Sequence, residues 1–240
     1  MSNPLQSHPP HILAVLDRLH AESAAQESSI PRTVYTTSST DSFHTFMRNK
    51  FIALEQDKCH FIYQLARTLN ATSIVEAGTS YGVSTIYLAL AVADNLVSAS
   101  ASGPSKGTVI ATEYEPAKAA QARKHWAECG EAVSGVIDLR EGDLRETLKT
   151  NLPDRIDMLL LDIWTPMALP TLKLVQPKLR YGAVVVSDNT LSAAEGYKDL
   201  LEYLRAPGSG FSTLTLPYKG GAGDECVSSS AIDSCIPVCR

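Results

Sequence analysis

Acidic residues follow the short apolar stretches that alternate along the middle of the chain. Glu76 ends the first stretch and Glu113 the second, while Asp143, Asp162 and Asp188 come at or just after the next three. The carboxyl ends of parallel strands meet at one edge of a sheet, where open α/β folds bind their ligands. The sequence therefore predicts one ligand site that is lined with carboxylates.

The first of these acids, Glu76, opens a turn that contains Gly78 and Gly82, and a helical pattern begins near Ser84. Glycines let a ligand approach the backbone, and the start of a helix offers free N–H groups and partial positive charge. The pattern is Glu-x-Gly-x-x-x-Gly, whereas dinucleotide sites carry Gly-x-Gly-x-x-Gly. A carboxylate here would repel a pyrophosphate and attract a cation, which favours the amino-acid part of S-adenosylmethionine.

Two further acids each have two interpretations. Glu113 could accept hydrogen bonds from two ribose hydroxyls. It could also be a solvated acid near a helix start, since Pro116 follows, although the upstream turn favours the ribose role. Asp143 could lie near the cofactor or could cap a helix that begins at Leu144, and the sequence does not separate these roles.

Asp162, Asp188 and Asn189 end two consecutive apolar stretches. Two carboxylates and an amide oxygen at adjacent strand ends form part of an all-oxygen shell of the kind that Mg²⁺ prefers. The alternative is a helix cap and a turn; together the three residues favour a metal. Trp164 could form a wall of the same pocket or belong to the core.

Repeating strand and helix patterns predict a single-domain α/β fold with a doubly wound, mostly parallel sheet. Residues 1–45 are polar and are predicted to form a mobile arm with a short helix from His11 to Ala21, and residues 46–240 form the main domain. A small-residue segment from Asp94 to Gly107 is predicted to be a flexible loop. The predicted strands are Ile74–Ala77, Thr108–Thr112, Gly135–Arg140, Asp157–Leu161, Ala183–Ser187 and Phe211–Leu216, and the last intervening helix is Ala193–Leu204.

Composition limits the classes of partner. The net charge is -5 and no basic cluster is present, which argues against nucleic acid. No apolar run approaches the length of a membrane span. Five cysteines without a C-x-x-C pair fit reduced thiols, so a cytoplasmic location is expected.

From about Phe51 to Leu216 the chain resembles the class I, metal-dependent O-methyltransferases related to catechol O-methyltransferase. The blocks that carry the resemblance are Val75–Ser84, Ala111–Pro116, Arg140–Asp143, Asp157–Trp164 and Val186–Asn189. The resemblance implies a Rossmann-like methyltransferase fold, in which Glu76 and Gly78 line the methionine part of S-adenosylmethionine and Ser84 binds its carboxylate. Asp162 also belongs to the cofactor-binding residues. It further implies that Glu113 holds the ribose and Asp143 lies near the adenine. Asp162, Asp188 and Asn189 would bind Mg²⁺, and Asp162 and Trp164 would lie at the reaction centre.

Thr165 is the main departure from this family, whose members commonly carry a lysine base directly after the tryptophan. A threonine hydroxyl cannot act as a general base near neutral pH. Lys58 and Lys219 are possible substitutes without a predicted placement. The tail after Tyr218 is a second departure, because residues 220–231 make a poor final strand.

The sequence thus predicts a Mg²⁺-assisted O-methyltransferase acting on a small phenolic or catechol-like substrate, with a homodimer left open. Two alternatives remain. One is an NAD(P)-dependent oxidoreductase on a related fold. The other is a cofactor-binding protein that no longer catalyses, for which Thr165 is the best support.

Overall fold

A seven-stranded sheet forms the centre of the computed structural model, which describes residues 3–31, 34, 40–99, 106–218 and 230–237. The strands are β1 (Ser73–Ala77), β2 (Thr108–Glu113), β3 (Ile137–Glu141), β4 (Ile156–Leu161), β5 (Leu179–Ser187), β6 (Phe211–Tyr218) and β7 (Ser230–Pro237). Their order is β3-β2-β1-β4-β5-β7-β6. Strands β1 to β5 are parallel, and β7 is antiparallel to both of its neighbours.

Helices cover both faces of this sheet. They are α1 (Pro10–Ser28), α2 (Thr40–Met47), α3 (Gln56–Thr68), α4 (Val83–Ala99), α5 (Pro116–Cys129), α6 (Glu131–Ser134), α7 (Leu144–Thr147), α8 (Thr165–Val175) and α9 (Lys198–Arg205). One core, which includes Ile74 and Leu160, packs against α1, α3, α4 and α5. A second core, which includes Val75 and Leu161, packs against α8 and α9. The predicted doubly wound, mostly parallel α/β fold is confirmed.

Strand geometry decides which of the two cores each strand residue enters. Successive side chains of a strand point to opposite faces, so neighbours such as Leu160 and Leu161 enter different cores. Every residue of β4 is buried, as expected for a central strand that is covered on both sides. Residues that follow β4 are therefore held at a fixed place on the sheet edge.

The N-terminal helix α1 belongs to the first core. Leu5, Ile12, Leu16 and Leu19 are all buried there, so residues 10–28 are packed, and the predicted mobility does not describe them. The sequence underestimated this helix because its buried stripe is narrow and the rest of its surface is polar. The predicted boundary at residue 45 stays a prediction.

Several predicted bounds differ from the structure. Helix α4 continues to Ala99 because buried Asn95 donates to the carbonyls of Ala66 and Ala71 at 3.0 and 2.8 Å; residues 100–105 of the predicted loop lie outside the described residues. The helix predicted from Ala193 begins only at Lys198, after a series of turns. A final strand, doubted from the sequence, is present as β7, which pairs antiparallel with β5 and β6.

No helix in the described part of the chain combines the length and the apolar character that a membrane span requires.

Candidate functional site

The sheet brings the ends of β1, β4 and β5 together. The backbone N–H of Asp162 donates to the carbonyl of Ala77 at 3.0 Å, and that of Asp188 donates to the carbonyl of Leu161 at 3.1 Å. Asp162 and Asp188 therefore continue the hydrogen-bonding pattern of neighbouring strands. As predicted, they lie at the same edge as the glycine turn that follows β1.

The carboxylate of Glu76 lies beneath this turn and is fully buried. It accepts hydrogen bonds from the hydroxyls of Thr79 at 2.9 Å, Ser84 at 2.6 Å and Thr85 at 2.5 Å. Burial raises the pKa of Glu76, while the three hydroxyl donors act in the opposite direction. The acid thus ties the turn to the first residues of α4, and the Ser84 hydroxyl is engaged in the same way.

Gly78 and Gly82 allow the turn to approach its neighbours. Gly78 has a φ of +94°, and a Cβ atom there would lie 1.9 Å from the backbone oxygen of Asp162. Gly82 has a φ of +80°, and a Cβ atom there would lie 2.4 Å from Nε1 of Trp126. That indole nitrogen donates to the Gly82 carbonyl at 2.9 Å. Both positions require glycine for packing as well as for backbone conformation.

Glu113 holds the turn from the end of β2. Its carboxylate accepts the backbone N–H of Ser80 at 2.7 Å and that of Glu115 at 2.8 Å. Burial raises the pKa of Glu113, and these N–H donors oppose that effect. The backbone N–H of Tyr114 also acts on this carboxylate and opposes the rise in pKa. A carboxylate offers about four lone-pair sites, so room for a further donor remains.

Asp143 adopts the capping role that the sequence left open. Its side chain accepts the backbone N–H of Arg145 at 2.9 Å and forms an ion pair with the Arg145 guanidinium at 2.6 Å. These contacts lower the pKa of Asp143. The residue lines a surface depression with Lys149 and Lys173, separate from the glycine turn.

A small pocket lies between the glycine turn and the segment before α3. Its lining runs from Phe51 to Leu54 on one side and includes Gly78–Tyr81, Val83, Ser84 and Asp162 on the other. The rings of Phe51 and Tyr81 stack with their centroids 4.4 Å apart. The first side is fastened to α1, since Ser23 accepts the backbone N–H of Ala53 at 2.7 Å and Gln26 accepts that of Phe51.

Asp162 gives this pocket an open acceptor. Among the described residues, none donates a hydrogen bond to its carboxylate. Burial and the charge of Asp188 raise the pKa of Asp162 to about 8, while the Lys58 ammonium acts in the opposite direction. The pocket therefore fits the cationic ammonium of the methionine part of S-adenosylmethionine.

Trp164 and Thr165 follow Asp162 at the start of α8. Trp164 is partly buried and directly precedes the first helical residue. Thr165 packs on Gly196, where an added Cβ would lie 2.3 Å from the Thr165 hydroxyl oxygen. The position at which the family commonly carries a lysine therefore faces a tight turn.

Lys58, which the sequence could not place, lies at the end of β5. Its side chain is 1% exposed, and Nζ lies 2.7 Å from Asp188 Oδ1 and 2.8 Å from Glu55 Oε2. Burial alone lowers the pKa of Lys58, but the charges of Asp188 and Glu55 outweigh burial and raise it. Lys58 is thus a cation at neutral pH and cannot replace the missing base; Lys219 lies outside the described residues.

The three predicted Mg²⁺ ligands differ in whether their side-chain oxygens already accept hydrogen bonds. Asp188 Oδ1 accepts Lys58, and Oδ2 accepts the Asn189 amide nitrogen at 2.9 Å. The Asn189 amide oxygen is 3.3 Å from the donor Ser192 Oγ. Within the described residues, Asp162 alone of the three has a side-chain oxygen that accepts no hydrogen bond. The three residues therefore do not offer a shared set of free oxygens, and this arrangement does not fit a hard divalent cation. The metal site stays a prediction.

Sequence reasoning missed the three hydroxyls around Glu76 as a group and also missed the pairing of Lys58 with Asp188. The spacing of Thr79, Ser84 and Thr85 after Glu76 could have revealed the first. No sequence signal marks the second, because 130 positions separate the two residues.

The fold and this arrangement define a class I, Rossmann-like methyltransferase domain. Residues 75–190 match a family described as "Methyltransferase domain", a range that contains all predicted site residues from Glu76 to Asn189. This match agrees with the predicted family, the class I S-adenosylmethionine-dependent O-methyltransferases.

Two curated relatives are named catechol O-methyltransferase. The protein from Niastella koreensis is 27% identical over 143 residues, which are 58% of this chain and 59% of that protein. The protein from Mycobacterium tuberculosis is 29% identical over 140 residues, 58% of each chain. The chain matches less than two thirds of the length of both relatives, so their activity is a proposal for this chain.

Solved structures share the fold. Cofactor-bound Rv0187 from MTB has a TM-score of 0.69 and 21% identity, covering 98% of this chain and 93% of that chain. The O-methyltransferase TomG from Streptomyces achromogenes, solved with SAM, has a TM-score of 0.64 and 21% identity, covering 93% and 98%. At these identities the likeness shows the fold alone.

Proposed function

We propose that this protein is an S-adenosylmethionine-dependent O-methyltransferase that methylates a hydroxyl of a small phenolic or catechol-like substrate. The observation that carries the proposal is the pocket between Phe51–Leu54 and the glycine turn, into which Asp162 brings an open carboxylate. The catechol O-methyltransferases among the relatives support the choice of acceptor.

The cofactor would be held by three features of the sheet edge. Asp162 would accept the ammonium of its methionine part, and Gly78 would let that part lie against the turn. Glu113 would use its remaining lone pairs for the ribose hydroxyls. Glu76 and Ser84 would contribute indirectly, because the hydrogen bond between them holds the glycine turn in place. Asp143 would serve the adenine end only indirectly, because it caps α7.

S-adenosylmethionine, when bound, supplies a methyl group on a positively charged sulfur. In the transfer, the substrate oxygen forms a bond to the methyl carbon as the carbon–sulfur bond breaks. The bonding pair stays on sulfur and the hydroxyl proton goes to water. The residues of the pocket contribute by orientation, which brings oxygen and methyl group into line. Trp164 would wall the acceptor side.

The acidity of the substrate matters because Thr165 offers no base. A phenolic hydroxyl, with a pKa of about 10 as in tyrosine, ionises far more readily than an aliphatic hydroxyl. A phenol is therefore the acceptor that this site favours. We do not expect the Mg²⁺ assistance that the sequence predicts, because both carboxylate oxygens of Asp188 already accept hydrogen bonds. A homodimer and a cytoplasmic location stay predictions.

Calorimetric titration with S-adenosylhomocysteine, together with transfer of labelled methyl groups to a panel of phenols, tests the proposal. We expect binding of S-adenosylhomocysteine, no binding of NAD, and methylation of at least one phenol. Asp162→Asn should weaken S-adenosylhomocysteine binding by about ten-fold or more. Asp154→Asn, at an exposed carboxylate remote from the pocket, is the matched control.

The outcomes separate the alternatives. Binding of NAD in place of S-adenosylhomocysteine would favour the oxidoreductase. Binding of S-adenosylhomocysteine without methyl transfer to any phenol would favour the cofactor-binding protein that no longer catalyses.

A further inference from the structure

A buried ammonium group lies where the sequence predicts a divalent cation. Lys58 extends from α3 to the end of β5, and its Nζ is within 2.8 Å of both Asp188 and Glu55. Asp188 is itself only 4% exposed. The partners of the ammonium are thus one buried and one partly exposed carboxylate.

Charge balance explains why this ammonium is stable there. A buried ammonium is unfavourable unless anions compensate for its lost hydration. The carboxylates of Asp162 and Asp188 lie at adjacent strand ends and repel each other. Lys58 therefore compensates part of the negative charge of these acids, at the place where a metal ion would otherwise do so.

The same contacts work against a metal ion. A divalent cation at Asp188 would have to displace the Lys58 ammonium or lie beside it, and like charges repel strongly in a buried site. It would also have to reverse the Asn189 amide, whose nitrogen now faces Asp188. Both carboxylate oxygens of Asp188 therefore already accept a hydrogen bond, one from Lys58 and one from Asn189.

We propose that Lys58 takes the place of the divalent cation, so that methyl transfer by this protein is independent of metal. The inference rests on the proposed function and deepens it. Lys58 is a positioning residue, since it fixes Asp188 and, through Asp188, the turn that begins at Asn189. That turn packs on Thr165 through Gly196, so the ammonium supports the acceptor side of the site.

Binding of Mn²⁺ to the metal-stripped full chain, followed by electron paramagnetic resonance, tests directly whether Lys58 takes the place of a metal ion. The wild-type chain should bind Mn²⁺ only at millimolar concentrations or above. Lys58→Met should tighten binding by about ten-fold or more, because it frees Asp188 and leaves two acids uncompensated. Lys58→Arg should restore the wild-type result, and Lys124→Met, at an exposed lysine, should change nothing.

Methyl transfer with EDTA and with Mg²⁺ forms the second arm. Wild-type rates should agree within about two-fold under the two conditions. A rate that EDTA abolishes and Mg²⁺ restores would overturn the proposal. So would tight Mn²⁺ binding by the wild-type chain that Asp162→Asn removes.

The two arms keep this inference distinct from the proposed function. If no phenol is methylated under any condition, the proposed function fails, and the Mn²⁺ measurement still decides the role of Lys58. If Lys58→Met does not fold, Lys58→Met/Asp188→Asn removes both charges together. That double variant should fold, bind S-adenosylhomocysteine and remain without tight Mn²⁺ binding, whereas tight binding would overturn the proposal.

Discussion

Thr165 and Gly196 are in direct contact. A Cβ atom at Gly196 would lie 2.3 Å from Oγ1, 2.9 Å from Cβ and 3.2 Å from Cγ2 of Thr165. Rotation about χ1 of Thr165 moves Oγ1 and Cγ2 but leaves the contact with Cβ. The turn before α9 is therefore fitted to the first residue of α8.

Gly196→Ala should destabilise the fold by about 1–3 kcal/mol through overpacking. It should also raise the KM for a phenolic acceptor, because the displaced turn borders the acceptor side. Thermal unfolding and steady-state kinetics measure the two effects. In a double-mutant cycle, Thr165→Ala should recover part of the loss; strict additivity would mean that the contact carries no energy.

Thr85→Val should weaken the glycine turn. The change keeps the shape of the side chain but removes one of three donors to the buried carboxylate of Glu76. We expect a loss of about 1–3 kcal/mol in the free energy of unfolding and weaker binding of S-adenosylhomocysteine. Urea unfolding and calorimetry provide the measurements. Thr68→Val, at an exposed threonine of α3, should have little effect, and equal losses from the two variants would contradict the role of Glu76.

Acid should destabilise the protein through His20. Burial, with the nearby charge of His60, lowers the pKa of His20 from 6.5 to about 4, although Asp17, Asp57 and Glu55 oppose the shift. Between these values the unfolded chain binds a proton that the folded chain does not. The stabilisation is therefore complete above pH 6.5 and is lost towards pH 4, by up to about 3 kcal/mol.

His20→Gln isolates this contribution, because glutamine keeps a polar group near the Tyr87 hydroxyl, which lies 2.9 Å from His20 Nε2. The pH dependence of unfolding by urea should flatten between pH 6.5 and 4 in this variant. His11→Gln, at an exposed histidine of the same helix, should leave the slope unchanged. An unchanged slope in His20→Gln would refute the assignment.

Asp143→Ala should show whether Asp143 caps α7 or contacts the cofactor. If Asp143 only caps α7, the variant loses about 1 kcal/mol of stability and binds S-adenosylhomocysteine as the wild type does. We expect this result because the carboxylate is paired with Arg145. A loss of affinity without loss of stability would instead place Asp143 at the adenine.

Local pattern was sufficient to predict the five parallel strands and the edge at which they end, but not β7. The buried strands gave continuous apolar runs, and each ended in a polar residue, so Glu76, Glu113, Asp162 and Asp188 could be assigned to one edge. Their partners could not be predicted in the same way. The pairing of Lys58 with Asp188 is set by how α3 packs on the sheet, and a sequence pattern does not record that packing.

The bounds of the helices also depend on tertiary packing that local sequence pattern does not record. Helix α1 was underestimated because four buried residues among polar neighbours give a weak signal, although tertiary packing stabilises the helix. The turns before α9 were mistaken for helix because their composition is helical, while the contact of Gly196 with Thr165 and the burial of Tyr197 hold them in another conformation.

The bonds from Ser23 and Gln26 to the segment at Phe51 and Ala53 have a consequence for exchange of the cofactor. The outer wall of the pocket cannot swing away while those backbone N–H groups are held by α1. Opening wide enough to admit a ligand requires α1 and the wall to separate. The rate at which a bound product leaves would therefore respond to substitutions at Ser23 and Gln26, which lie 30 and 25 positions before the wall residues that they hold.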